Sequence, residues 1–112
     1  MRSIREKDLQ REILSFLRKR GIFAWRQNAG AAVGDGRFVR FSIPGISDII
    51  GILPDGRFLA VEVKLAGRKL SKNQEVFLSA IRANGGVAIV ARSLIDVIEG
   101  LREGGRCGTP RR

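Results

Sequence analysis

Two acidic residues and one lysine in the middle of the chain have types and spacing that could support metal-assisted hydrolysis of a phosphate ester. Asp48 precedes an apolar segment, Glu62 and Lys64 end the next one, and residues 53–56 form a turn between them. Pro and Gly at the second and fourth positions of that turn predict a three-residue hairpin loop. The resulting antiparallel register places Asp48 directly opposite Glu62, with Cβ atoms about 4.5–5.5 Å apart. Lys64 follows on the same face, one strand repeat further.

The opposed pair Asp48 and Glu62 predicts a cation site, because like charges in opposed strand positions are destabilising unless something neutralises them. Apolar neighbours surround both acids, so water alone would neutralise them poorly. Mg²⁺ or Mn²⁺ prefers oxygen ligands and retains waters that can attack phosphorus. Lys64 would then orient that water or stabilise the developing negative charge. The alternative is that Glu62 and Lys64 face solvent and that Asp48 caps a turn after Ser47.

The distribution of charge indicates a nucleic-acid partner and a reaction on it. The chain has 112 residues and a net charge of +10, from 21 basic and 11 acidic residues, and such a surplus suits a polyanion. Residues 41–65 reverse the trend, with three acidic and two basic residues. Carboxylates facing phosphate are unfavourable in a simple binder, whereas a metal-dependent nuclease requires them at its centre.

Missing residue types exclude several kinds of chemistry. Without His the chain has no imidazole base and no His-bound zinc, and its one Cys, Cys107, builds neither a multi-cysteine zinc site nor an internal disulfide. The lack of Tyr excludes tyrosine-based strand transfer. No apolar run reaches the roughly 20 residues of a membrane span, and no secretory signal opens the sequence. We therefore expect an intracellular protein.

Hydrophobic periodicity and turn residues predict the order α, four β, α, β, α, which indicates an α/β fold with a mixed sheet flanked by helices. Ser3 and Glu6 have capping-box spacing at the start of the first helix, and Ser71 and Gln74 have it at the start of the second. The predicted elements are helices at 3–20, 71–84 and 93–101, strands at 22–27, 37–41 and 87–91, a hairpin over 47–64, a Gly/Ala loop at 28–36, and a flexible basic tail at 102–112.

Other polar residues admit two interpretations. Glu6 and Gln74 could act at the site, yet a capping box also explains each of them. Asp8 or Glu12 could replace Glu6 as the acid of the first helix. Basic residues that could contact DNA phosphates, some of them equally typical of a solvated helix end, are Arg18, Lys19, Arg20, Arg26, Arg68, Lys69 and Lys72.

Three motifs resemble the VRR-NUC family of the PD-(D/E)xK nuclease superfamily, in the short stand-alone form found in phages. They are Pro44-Gly45-x-Ser47-Asp48, Glu62-Val63-Lys64 and Leu70-Ser71-x-x-Gln74-x-x-Phe77. The resemblance implies a single nuclease domain over residues 1–101 with a restriction-endonuclease-like fold. It also implies a Mg²⁺- or Mn²⁺-dependent homodimer that cuts branched DNA, such as four-way Holliday junctions, in the cytoplasm of a bacterial or phage-infected host. The alternatives are a monomeric flap nuclease, a non-specific nickase and a non-catalytic basic DNA-binding module.

The same resemblance implies roles for individual residues. The implied metal ligands are Asp48, Glu62 and the main-chain carbonyl of Val63, with Glu6 as a candidate further ligand. The implied catalytic residues are Asp48, Glu62, Lys64, Gln74 and Glu6, of which Lys64 is the catalytic lysine, Glu6 the acid of the first helix and Gln74 a second-helix residue that reaches the site.

Overall fold

A computed structural model of the protein describes residues 5–27, 31–34, 37–40 and 43–107. Within these residues, no helix is both long enough and apolar enough to cross a membrane. The elements are α1 (Glu6–Lys19), β1 (Phe23–Arg26), β2 (Ala31–Gly34), β3 (Arg37–Arg40), β4 (Ile49–Ile52), β5 (Phe58–Val63), α2 (Lys72–Ala83), β6 (Val87–Ala91) and α3 (Leu94–Cys107).

The main sheet has four strands in the order β1-β4-β5-β6, and it confirms the predicted mixed α/β class. β1, β4 and β5 are antiparallel neighbours, whereas β6 is parallel to β5. A parallel pair needs a crossover connection, and α2 provides it. α1 and α3 pack on one face of this sheet and α2 packs on the other, over β5 and β6.

Two apolar clusters hold the layers together. The larger one joins an i, i+4 stripe of α1, formed by Leu9, Ile13 and Leu17, to α3 and to one face of the sheet. The smaller one joins Phe77 and Leu78 of α2 to the opposite face. Because successive strand residues alternate between faces, β5 is buried on both sides. The acid near the end of β5 is therefore surrounded by packed side chains.

The central hairpin has the predicted turn and register. The Leu53 N–H donates to the Arg57 carbonyl at 2.8 Å, and the Gly56 N–H donates to the Leu53 carbonyl at the same distance. Gly56 has a φ of 93°, as a Gly in the left-handed region requires. Cross-strand pairs from Ile52 with Phe58 onward follow the same register.

Two sequence predictions about the first half of the chain are wrong. The N-cap of α1 is Arg5, with no side-chain cap hydrogen bond, so Glu6 cannot be the third residue of a box that begins at Ser3, which lies outside the described residues. Capping therefore no longer explains Glu6. The predicted loop at 28–36 contains strand β2, which pairs with β3 in a separate two-stranded sheet. Its Ala and Gly residues have low strand propensity and gave no strand signal.

The last helix includes the first part of the predicted tail, because α3 continues to Cys107 instead of ending near residue 101. Gly100 and Gly104 lie one turn apart against β6, where added Cβ atoms would approach side chains of that strand to 2.7 and 2.9 Å. Glycine thus allows close packing of the helix on the sheet. Arg57 also donates its Nη1 to the Gly104 carbonyl at 2.8 Å. Residues 108–112 lie outside the described part of the chain.

A type II turn holds the segment before β4 against the start of α2. The Ile46 N–H donates to the Ile43 carbonyl at 3.1 Å, with Pro44 second in the turn and Gly45 third at a φ of 80°. A Cβ on Gly45 would lie 2.3 Å from the carbonyl carbon and oxygen of Asn73. Glycine is required here both for the positive φ and for the close approach of the α2 backbone.

We predict that Gly45→Ala destabilises the protein more than Gly67→Ala. The two glycines have φ values of 80° and 84°, but a Cβ on Gly67 would meet nothing within 4 Å. Gly67→Ala should therefore lower the free energy of unfolding by about 1–2 kcal/mol, from left-handed strain alone. Gly45→Ala adds a backbone clash and should lower it by at least about 1 kcal/mol more. Urea unfolding measures both, and equal losses would contradict the close contact between this turn and α2.

Candidate active site

Asp48 and Glu62 lie opposite each other where the β4–β5 ladder ends. The register of that ladder places the next residues, Asp48 and Glu62, face to face, as the sequence predicts. The Gln27 N–H donates to the Asp48 carbonyl at 2.7 Å, and the Val63 N–H donates to Asp48 Oδ2 at 2.8 Å. The neighbouring strands therefore hold both the backbone and the carboxylate of Asp48.

Glu62 is buried, with 2% of its surface exposed, so the interpretation as a solvent-facing strand residue is wrong. Gln74 Nε2 donates to Glu62 Oε2 at 3.1 Å. Oε1 of the same carboxyl group is buried without a hydrogen-bond partner among the described residues. Burial and then the adjacent Asp48 carboxyl raise the pKa of Glu62 to about 8, against the opposing charge of Lys64.

The donors around this pair fit a hard divalent cation. When Glu62 is ionised, its Oε1 is a buried carboxylate oxygen that has no donor among the described residues, which is costly unless a cation meets it. The Val63 N–H faces Asp48, and the N–H and C=O of one strand residue point the same way, so the Val63 carbonyl faces Asp48 too. Two carboxylates and one carbonyl are the oxygen donors that Mg²⁺ and Mn²⁺ prefer.

Gln74 caps α2 and contacts the buried acid at the same time. Its backbone N–H donates to Ser71 Oγ at 3.1 Å and its Oε1 accepts from the Ser71 N–H at 2.8 Å, which completes the predicted capping box. Its Nε2 remains to donate to Glu62. The Ser71 N–H needs an acceptor, so the amide is oriented with its NH₂ group toward Glu62. Gln74 therefore both caps α2 and contacts Glu62, whereas the sequence offered the cap and a place at the site as alternatives.

Lys64 and Glu6 influence Glu62 through their charges. The ammonium of Lys64 lowers the pKa of Glu62 and the carboxylate of Glu6 raises it. Within the described ranges, no three acidic side chains lie close enough to hold a metal ion together, so the structure does not bring Glu6 into the pair. Asp8 forms ion pairs with two neighbouring arginines at 3.5 Å each, and Glu12 is exposed. Glu6 is therefore the α1 acid whose charge reaches the site.

The predicted DNA-binding residues form two exposed groups. One group lies near the carboxyl pair, on the loop after Lys64, at the start of α2 and at the end of β1. The other lies at the end of α1, about 18 Å along the helix from Glu6. The near group comprises Arg26, Arg68, Lys69 and Lys72, and the far group comprises Arg18, Lys19 and Arg20.

Two residues of the far group also contact the fold. Arg18 donates its Nη2 to the Ala24 carbonyl at 3.4 Å. The guanidinium of Arg20 lies over the Phe16 ring, 5.4 Å from its centroid. Both contacts join the end of α1 to nearby structure, so these arginines have a structural role that their spacing in the sequence did not reveal.

Arg92 holds the loop that follows Lys64, and the sequence analysis missed it. Its Nη1 donates to the carbonyls of Leu65 and Arg68, at 2.9 and 2.8 Å. These bonds fix the turn that presents Arg68 beside the site. No local pattern marks Arg92, because its two partners lie 27 and 24 residues earlier in the chain.

Residues 4–94 match the family model described as the VRR-NUC domain. The matched span contains the carboxyl pair as well as Lys64 and Gln74. The chain belongs to the VRR-NUC family. No curated protein matches the chain.

VRR-NUC domains are nucleases of the PD-(D/E)xK type, so this protein is a nuclease that acts on DNA. Nucleases of this type generally use divalent metal ions. That property agrees with the oxygen donors that Asp48 and Glu62 bring together in this VRR-NUC chain.

We predict that the metal-free VRR-NUC chain loses stability as the pH rises from about 5 to about 8. The pKa of Glu62 is about 8 in the folded protein, against an ordinary value of 4.5. Between these values the folded state binds more protons than the unfolded state, so the free energy of unfolding falls with pH. Glu62→Gln removes this titration and should flatten the dependence.

Urea unfolding in EDTA across this pH range measures the effect. Glu75→Gln is the matched control, because Glu75 is exposed in the first turn of α2. It should keep the pH dependence of the wild-type protein. If the unfolding free energy of Glu62→Gln depends on pH as that of the wild-type protein does, the raised pKa of Glu62 is contradicted.

Proposed function

We propose that the protein is a Mg²⁺- or Mn²⁺-dependent endonuclease that cuts branched DNA, such as four-way Holliday junctions, as a homodimer. The observation that carries the metal-dependent reaction is the buried Oε1 of Glu62, opposite Asp48, to which no described residue donates a hydrogen bond. Membership of a nuclease family supports the reaction class. The resemblance to stand-alone phage members suggests that it acts in a bacterial or phage-infected cell.

Asp48, Glu62 and the Val63 carbonyl would hold the cation. When bound, a divalent cation neutralises charge on the phosphate and lowers the pKa of a bound water. Gln74 holds Glu62 Oε2 through its 3.1 Å hydrogen bond, which leaves Oε1 for the metal. Asp48 Oδ2 accepts from the Val63 N–H, so the two carboxylates keep their relative orientation while substrate enters.

Lys64 would act on the reacting phosphate or on the attacking water. It follows Glu62 on the same face by strand alternation and is half-buried. A positioned ammonium can orient the water and stabilise negative charge on the phosphate oxygens in the transition state. The loop after Lys64 is held by Arg92, which limits the movement of the chain on that side.

The exposed cations favour recognition of DNA shape. Arg68, Lys69 and Lys72 are exposed on the loop after Lys64 and at the start of α2, while Arg18 and Lys19 lie about 18 Å along α1 from Glu6. Contacts from these side chains to phosphate carry no sequence information. Basic side chains on separate elements suit a substrate with more than one duplex arm.

A homodimer would supply the two catalytic sites that a junction requires. One site cuts one strand, so symmetric cleavage of a four-way junction needs two sites related by a two-fold axis. A monomer would instead nick duplexes or cut flaps. A purely structural role for the acids is disfavoured, because a basic binding module gains nothing from a buried carboxyl group placed opposite a second one.

Asp48→Asn and Glu62→Gln should each abolish metal-dependent cleavage while the protein stays folded. Each substitution removes an anionic ligand and relieves the repulsion between the opposed carboxylates. Four-way junction, flap and duplex DNA would be incubated with each variant, with and without Mg²⁺ or Mn²⁺. Glu75→Gln should cleave like the wild-type protein, and wild-type cleavage by Asp48→Asn or Glu62→Gln would overturn the site.

The same substrates test the branched-DNA part of the proposal. Paired incisions in the junction, at rates well above those on duplex, are expected. Equal cleavage of duplex and junction would indicate a non-specific nickase, and cleavage confined to the flap would indicate a flap nuclease. Either result would leave the metal site standing and reject the junction specificity.

Lys64→Ala should lower the cleavage rate by roughly 10² or more and leave metal binding nearly unchanged, because it removes a preorganised electrostatic group. Lys64→Arg should not restore the full rate, since a planar fork does not replace a compact ammonium. Lys72→Ala is the control, because it removes an exposed lysine of α2 and should weaken DNA binding without changing the rate at saturation. If both Lys64 variants cleave at the wild-type single-turnover rate, Lys64 takes no part in the reaction.

A further inference from the structure

Three large apolar residues form an exposed row across the sheet. Phe23 pairs with Ile52, and Ile52 pairs with Phe58, so all three point to the same face. Their exposed fractions are 67%, 41% and 39%. Single exposed hydrophobic residues are common and need no explanation, whereas large contiguous apolar patches mark interaction sites.

α2 covers only part of the face that carries this row. It packs on β5 and β6, and Phe23 of β1 and Ile52 of β4 are exposed on that side. The neighbouring row, formed by Trp25, Ile50 and Ala60, belongs to the smaller apolar cluster. The exposed row therefore continues the core toward the end of the sheet opposite the carboxyl pair.

The composition of the two rows favours a protein partner over a nucleic acid. Neither row contains a Lys or Arg that could neutralise phosphate, whereas nucleic acids that stack on aromatic rings also need cations along their backbone. The one side-chain polar group in the rows is the indole N–H of Trp25, which already donates to Gln27 Oε1 at 3.0 Å. The surface thus offers apolar contact alone.

We propose that the Phe23–Ile52–Phe58 row is the contact surface for a second copy of this chain. The identity of this partner rests on the proposed function, because paired cleavage of a junction needs two sites. Two chains that each carry a net charge of +10 repel each other, so they approach most readily through an uncharged surface. A two-fold axis allows the same row to serve both copies.

The position of the row keeps both catalytic pairs accessible. Phe58 lies four residues before Glu62 on β5, a separation of about 13 Å along the strand. The row and the carboxyl pair share one face of the sheet without overlapping. Contact through the row would therefore place two sites in one assembly and leave each of them open to DNA.

Light scattering tests the proposal directly. The wild-type protein should have twice the chain mass of 12.3 kDa, whereas the double variant Phe23→Ser, Ile52→Thr should have the mass of one chain. The dimer dissociation constant should rise by about a hundredfold or more, as for the central residues of an interface. Ile95→Thr is the matched control, because Ile95 is 61% exposed on α3, and it should remain a dimer.

A second measurement needs no substitution, because the chain has one Trp. Trp25 contacts Phe23, with ring centroids 5.2 Å apart, so its fluorescence emission should shift to the red when the dimer dissociates on dilution. Raising NaCl from about 0.1 M to about 1 M should preserve or strengthen the dimer by screening repulsion. The same change should weaken DNA binding.

A wild-type protein that stays monomeric at every concentration and salt would overturn this contact, as would a dimer that the double variant leaves intact. Loss of DNA affinity in the double variant, with no change in mass, would assign the row to nucleic acid and overturn it too. Cleavage assays separate this proposal from the proposed function. A monomeric metal-dependent nuclease contradicts the contact and the homodimer but leaves the metal-dependent reaction in place, and a dimer that does not cut DNA contradicts only the nuclease.

Discussion

Asp48 and Glu62 are held opposite each other, and the burial of Glu62 makes it unfavourable for both carboxyl groups to be ionised at once. The rest of the structure creates or limits the repulsion that ionisation of both groups would bring. The hairpin turn fixes the register that opposes them. Packing on both faces of β5 buries Glu62 and raises its pKa to about 8. A cation would remove the repulsion and use both carboxylates as ligands. Two opposed carboxyl groups, one of them buried, destabilise a protein that binds no metal, but they are suitable ligands in a protein that binds one.

The contacts around Asp48 and Glu62 come from several elements, and each contact connects to the next. The turn at Gly45 leads into Asp48 and packs against the first turn of α2. That first turn contains Gln74, whose amide completes the helix cap and then bonds to Glu62. Glu62 in turn opposes Asp48 across the hairpin. Movement of α2 would therefore disturb the cap, the turn and the buried carboxyl group together, so the position of the helix and the geometry of the site are coupled.

The parts of the site that depend on local sequence could be predicted, and the parts that depend on distant contacts could not. A turn motif sets the hairpin register, so the opposition of Asp48 and Glu62 followed from spacing alone. The cap at Gln74 is also local, but its bond to Glu62 depends on how α2 lies on the sheet. The length of α3 was underestimated because Gly100 disfavours a helix by propensity and is favoured there by packing against β6. Arg92 was missed because its partners are distant in sequence.

The Asp48–Glu62 pair should bind one divalent cation and give up a proton when it does so. Titration calorimetry with Mn²⁺ near pH 7, repeated in buffers with different ionisation enthalpies, measures the stoichiometry and the number of protons released. Because the pKa of Glu62 is about 8, we expect one Mn²⁺ per chain and release of close to one proton at that pH. Glu62→Gln should lose both the high-affinity binding and the proton release. Binding without proton release, or binding that Glu62→Gln leaves unchanged, would contradict this account.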